Sequence, residues 1–146
     1  MSNRFLLPKV APEAYHAMIA FDKYQASANI DPLQRELIKI RASQINGCAY
    51  CVDKHNKDAR DAGETEQRLY AVCVWRDTPF FTPEERAILA LTEEVTLIQD
   101  HVSDETWNNA LGLLGEKYLA DVLMAIITIN AWNRIGIATG LQPSKR

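Results

Sequence analysis

Cys48 and Cys51 stand three positions apart in NGCAYCVDKHNKDAR (46–60), and His55 follows the second cysteine by four. Placed in one helical turn, two thiols at that spacing share a face and lie close enough to bond to each other. The free N–H groups and dipole of a helix N-terminus favour negative charge, which raises the thiolate fraction of a cysteine there. His55 lies one turn deeper on the same stripe, where an imidazole can take a thiol's proton. Three readings stay open on these residues alone. They form a redox dithiol, they are three ligands of a zinc site that still needs a fourth, or they are packed cysteines beside a solvated histidine.

A further participant comes from the preceding segment. Glu36 shares a helical face with the apolar Leu33 and Ile40, so it is expected to point inward, where a carboxylate needs a partner. It stands eleven residues before Gly47, and His55 stands eight after it. Those separations are about 16 Å and about 12 Å along two helical arms, so helices folded back on each other bring the two side chains to similar height. The carboxylate would then orient His55 and stabilise its protonated form, as a third group does in catalytic triads. The competing reading is a surface glutamate flanked by Arg35 and Lys39.

The elements that must hold these residues read as helices throughout. Alternation at period two never persists, while apolar residues recur at three and four, which predicts an all-α fold of about six to seven helices. The first runs from Pro12 to about Ala28, with Tyr15, Met18, Ile19 and Asp22 at helical spacing. Asp31 followed by Pro32 marks a second start, and Gly47 can take the left-handed conformation that closes that helix. A third helix spans about Cys48 to Gly63, so the Cys-x-x-Cys opens it, and ETEQRLYAVCVW is a short fourth in which Cys73 is expected to be buried. Thr82, Pro83 and Glu85 form a capping box for a fifth that carries Ile88, Leu91, Val95 and Ile98 inward. The charges of EERAILALTEEVT are read as a solvated face. Ser103 caps a sixth helix with Trp107, Leu111 and Leu114. The last, about 116–139, is apolar around much of its circumference, which predicts a central helix or an oligomer interface. Trp107 and Trp132 are expected to be core or interface anchors, and Arg134 a snorkelling or paired side chain.

The whole chain sets limits on function. Its 146 residues suit a single domain, 1–146, with 47% hydrophobic and 24% charged residues in an ordinary globular balance. Disorder is expected only at the two ends. Sixteen basic residues against nineteen acidic ones leave a net charge of −3, with no excess to neutralise a phosphate backbone, so nucleic acid is excluded as a partner. MSNRFLLPKVAPEAYH is interrupted by Pro8 and Pro12 and does not read as a signal peptide. The longest apolar run, VLMAII, is far short of a membrane span, and a cytoplasmic location is expected. Three cysteines in such a chain suit chemistry better than a disulfide framework.

Glu36, then CAYC twelve residues on, then His55 resembles the signature of the AhpD-like alkylhydroperoxidases in the carboxymuconolactone decarboxylase superfamily. The likeness extends over DARDAGETEQRLY and TPEERAILALTEEVT, roughly residues 30–100. It implies an all-helical domain that forms dimers, trimers or trimer-based hexamers, and a thiol peroxidase without metal or other cofactor. Carried over, Cys51 is the peroxidatic cysteine, Cys48 the resolving one, His55 the proton acceptor and Glu36 its relay partner. A lipoyl-bearing or thioredoxin-like protein is the implied dithiol reductant, and Cys48, at the mouth of the helix, is the sulfur expected to meet it. The best-known pattern has a histidine between the cysteines where this chain has Tyr50. Rival readings are a non-catalytic redox sensor, a zinc protein and lactone decarboxylation, the last disfavoured by the intact cysteine pair.

Overall fold

The computed structural model describes residues 3–145, so the expectation of disorder at the extreme ends falls outside it. Within that range the chain folds into eight α-helices without a strand: α1 (Leu7–Val10), α2 (Pro12–Ser27), α3 (Pro32–Asn46), α4 (Ala49–Asp61), α5 (Glu66–Ala71), α6 (Pro83–Thr96), α7 (Asp104–Leu114) and α8 (Glu116–Thr139). Two short 3-10 turns follow α5 and α6. The helix beyond the expected number is α1, a single turn with proline at its start.

Local sequence explains the helix boundaries. The Asp31 carboxylate accepts the N–H groups of Leu33 and Gln34, Thr82 and Glu85 make a reciprocal capping box, and Ser103 accepts the N–H of Thr106. Gly47, at φ +73°, ends α3 and reverses the chain. Three expectations change. The fourth helix stops at Ala71 and continues as a 3-10 turn, Val72–Asp77, with non-helical angles at Val74. The tighter winding rotates the side-chain stripe, so Cys73 is exposed rather than buried. Ile98 is 49% exposed, because α6 ends at Thr96 before the inward face reaches it.

The core is shared by two clusters with α3 between them. Ile38 and Ala42 of α3 join Ile88 and Leu91 of α6 and Val122, Ala125, Ile126 and Ile129 of α8. Leu37 and Ile40 of α3 face the other way, toward Leu69, Val72, Trp75, Phe81 and Leu89. Helix α8 packs against α2, α3, α4, α6 and α7. It is long and apolar enough to cross a membrane by length and composition, yet its buried residues include Asp121, Asn130 and Asn133. The Asn46 amide donates to the side-chain oxygens of Asn130 and Asn133, each at 2.9 Å, and Asn133 donates to Ser43 Oγ. These bonds fasten the end of α3, and with it the turn carrying the cysteines, to α8.

The acidic residues of α6 are not simply a solvated face. Glu85 is buried and bridged by Arg68, and Glu93 accepts from Arg41 Nε at 2.7 Å and from Trp75 Nε1 at 2.9 Å, with Arg76 as a third partner. The reason is tertiary: the 65–82 segment folds over this face and brings cations that local sequence does not show.

Candidate active site

The reversal at Gly47 leads directly into the dithiol. Cys48 is the N-cap of α4, and its Sγ accepts the N–H of Cys51 at 3.4 Å. The two cysteines are joined as a disulfide, with Cα atoms 5.3 Å apart. Helix α8 passes close behind them at Gly136, where a Cβ would lie 3.2 Å from Cys48 Sγ and 3.7 Å from Cys51 Sγ. The missing side chain therefore lets α8 press against the sulfurs.

One turn into α4, His55 meets Glu36 as the hairpin arithmetic predicts. Nδ1 of His55 lies 2.9 Å from Oε2 of Glu36, and Lys39 Nζ donates to the other carboxylate oxygen at 2.9 Å. Both Glu36 and His55 are buried. Burial would raise the Glu36 pKa, but the hydrogen bond from His55 and the positive charge of Lys39 outweigh it, and the carboxyl is held at about 2. An ionised carboxylate can only accept, so Nδ1 carries the proton and Nε2 is the ring nitrogen free to exchange one.

A cavity of about 240 Å³ opens beside this pair. Helix α4 contributes Tyr50, Cys51, Lys54 and His55; α2 contributes Tyr15, Ile19, Asp22 and Gln25; α8 contributes Ala125, Thr128, Ile129 and Trp132, and α3 contributes Lys39. Cys51 is on the wall and Cys48 is not. Only 2% of Cys48 is exposed, which corrects its placement at an open helix mouth: the N-cap position turns its sulfur in beneath α8. Trp132, half-buried against the core, also walls the cavity and stands edge-on to Tyr15 with ring centroids 5.9 Å apart. The helical spacing of Tyr15, Ile19 and Asp22 marked one face of α2 without showing what it faced. Gln25 and Gly136 carried no local signal at all.

The structure brings Glu36, His55, Cys51 and Cys48 into one neighbourhood. The zinc alternative would need this disulfide reduced and a fourth ligand beside Cys48, Cys51 and His55. Glu36, His55 and Asp58 do place ligand-type atoms within 4.8 Å of one another, but both carboxylates are engaged by lysines, Glu36 by Lys39 and Asp58 by Lys54.

Comparison with known proteins agrees with the geometry. The profile of the carboxymuconolactone decarboxylase family matches residues 12–94. The uncharacterized protein YdfG of Bacillus subtilis is 45% identical over 147 residues, covering all of both chains. A solved structure from Agrobacterium tumefaciens, of a protein of unknown function provisionally described as antioxidant defence protein AhpD, superposes with a TM-score of 0.97 at 35% identity, covering 99% of this chain and 100% of that one. The debrominase Bmp8 shares the fold at a TM-score of 0.84 and 19% identity, over 91% of this chain and 72% of its own. That last likeness shows the fold alone, so the reaction must be argued from the side chains of the site.

Proposed function

The chain belongs to the carboxymuconolactone decarboxylase family, and from that premise we propose that it is a thiol-dependent peroxidase reducing hydrogen peroxide or organic hydroperoxides through Cys48 and Cys51. The observation that carries this reading is that Cys51 lines a cavity together with His55, whose imidazole is backed by the ionised Glu36. In the reduced protein His55 Nε2 takes the proton of Cys51. The thiolate attacks one peroxide oxygen; a sulfur–oxygen bond forms as the oxygen–oxygen bond breaks. The leaving oxygen takes the proton back from His55 and departs as water or an alcohol. Cys51 is left as a sulfenic acid, oxidised by the two electrons that the peroxide gained. Cys48 then attacks that sulfur, closes the disulfide and releases water.

Regeneration needs a dithiol donor, a lipoyl-bearing or thioredoxin-like protein. Its thiolate attacks Cys51, the sulfur on the cavity wall, and Cys48 leaves as a thiolate that the Cys51 N–H and the α4 N-terminus stabilise. The donor's second thiol then displaces Cys51 and completes the exchange. Tyr50 cannot serve as an imidazole between the cysteines, so proton traffic in this scheme rests on His55.

The test is peroxide consumption by prereduced, metal-free protein with dihydrolipoamide as donor while free thiols are counted. Turnover with two thiols lost between donor additions is the expected result. Cys51→Ser should abolish it, and Cys48→Ser should form a trappable sulfenic acid. Thiols that oxidise once, without turnover on this donor or a thioredoxin-type one, would replace this reading with a redox sensor.

A further inference from the structure

Lys39 belongs to the candidate site by geometry, and the chemistry proposed above gives it no task. It stands three residues after Glu36 on the same face of α3. Its ammonium donates to Glu36 Oε1 at 2.9 Å, while His55 Nδ1 meets Oε2 at the same distance. One carboxylate is thus shared between an ammonium and an imidazole. The Lys39 side chain is 17% exposed and that of Glu36 9%, and Lys39 lines the cavity with Cys51 and His55.

An imidazole that is to take the proton of Cys51 must first be neutral. Nδ1 of His55 faces two carboxylates, Glu36 at 2.9 Å and Asp58 at 3.7 Å, and negative charges at that range favour the imidazolium. Each carboxylate has its own lysine, Lys39 for Glu36 and Lys54 for Asp58, so the four charges cancel. The two pairs do not count equally. The side chains of Lys54 and Asp58 are 48% and 36% exposed, where water and salt screen them. Lys39 and Glu36 are largely shielded from both. Helix α2 brings Asp22 and Tyr15 to the same cavity and α4 brings Tyr50, while α8 contributes only uncharged side chains. The side-chain bonds to Glu36 come from His55 and Lys39.

We propose that Lys39 is a positioning residue of the proton relay: by holding Oε1 it aims Oε2 at Nδ1, and by neutralising Glu36 it keeps the imidazole of His55 from being protonated too firmly to accept the thiol proton. The role in turnover rests on the peroxidase reading above; the hold on His55 does not.

Titration of His55 by NMR in the disulfide form of the full chain, where neither Cys48 nor Cys51 carries a proton, tests that hold directly. In Lys39→Met the midpoint of the His55 titration should move to higher pH by about one unit, because the carboxylate left without its ammonium favours the imidazolium. His16 and His101, the other two histidines, serve as internal references. Lys39→Arg keeps the charge and should stay with the wild type, and Lys54→Met, at the exposed pair, should move the midpoint less than about half as far. In turnover, the acid limb of the pH–rate profile should move to higher pH in Lys39→Met and return in Lys39→Arg. A residue that merely supports the fold would lower turnover at every pH and leave the midpoint in place. An unmoved His55 midpoint in Lys39→Met overturns the proposal, as does an equal shift in Lys54→Met, or an acid limb that stays in place while peroxide is turned over. Failure of both Lys39→Met and Lys39→Gln to fold would make Lys39 a structural group and overturn it as well. A shifted midpoint in a protein without peroxide turnover removes the peroxidase reading and leaves Lys39 as the group that governs the charge of His55.

Discussion

Glu36–His55 and Glu85–Arg68 are both buried acid–base contacts between helices, at 2.9 Å and 2.5 Å, and they do opposite things. Arg68 is partly exposed at its outer edge, but its guanidinium is fully engaged by buried carboxylates. It donates to Glu64, to both oxygens of Glu85 and to the carbonyl of Phe80, and its guanidinium lies 4.8 Å from the centre of the Phe81 ring. The hydrogen bonds it donates to Glu85 push its pKa still higher than usual, beyond any use in proton transfer. His55 has a partner on one nitrogen, keeps the other, and lines a cavity together with a sulfur. Buried charge by itself therefore marks no site. A proton-exchanging atom left over beside a nucleophile and an open volume does.

Arg68→Met strands Glu64 and Glu85 without their cation and should cost about 3–5 kcal/mol of stability, read by chemical denaturation, while the folded fraction keeps the proposed peroxide turnover. A loss of turnover in molecules that remain folded would mean that the two clusters are not separate.

Acid should act next on the other pair. Glu36 has an ordinary pKa of 4.5 and is held at about 2 in the fold. Its stabilisation is therefore complete above about 4.5 and is lost as the pH falls through about 2, a contribution on the order of 3 kcal/mol. Denaturation curves of wild type and Glu36→Gln should converge toward the acid end of that window. Curves that stay parallel would show that the carboxylate is not held by His55 and Lys39.

Glu36→Gln also separates orientation from burial. The amide can still fill the space but no longer stabilises an imidazolium, so peroxide turnover at neutral pH should fall about 10–100-fold while the protein stays folded. Full activity would remove Glu36 from the proton relay.

The smallest effect concerns two glycines. Gly112 lies in α7, where an added methyl would find nothing within 4 Å, whereas a Cβ on Gly136 meets Cys48 Sγ at 3.2 Å. Gly112→Ala should stabilise by about 1 kcal/mol through helix propensity, and Gly136→Ala should forfeit that gain against the sulfur. Equal stabilisation of both would show that α8 does not press on the dithiol.

Much of this arrangement was legible in sequence, where the physics is local. Asp31, Thr82 and Ser103 cap the helices they were expected to cap, because a cap is a contact over two or three residues. Glu36 meets His55 because two helices joined at Gly47 place residues at heights set by the rise per residue. The errors lie where distance in sequence stopped being informative. Cys73 looked buried in an apolar run until the helix tightened into a 3-10 turn. Glu85 and Glu93 looked solvated until the 65–82 segment folded over them.

The sequence by itself determined the helices, the cysteine spacing and the partner of His55, since each depends on backbone periodicity within one helical hairpin. Only the tertiary structure decided that Cys51 and not Cys48 lines the cavity while α8 packs against both sulfurs at Gly136, and only it brought Gln25 and the ring of Trp132 to the same wall. Those positions come from α2, α4 and α8, which are far apart in the chain. Their relation is set by how apolar faces pack around α3, and no spacing within one helix encodes that packing.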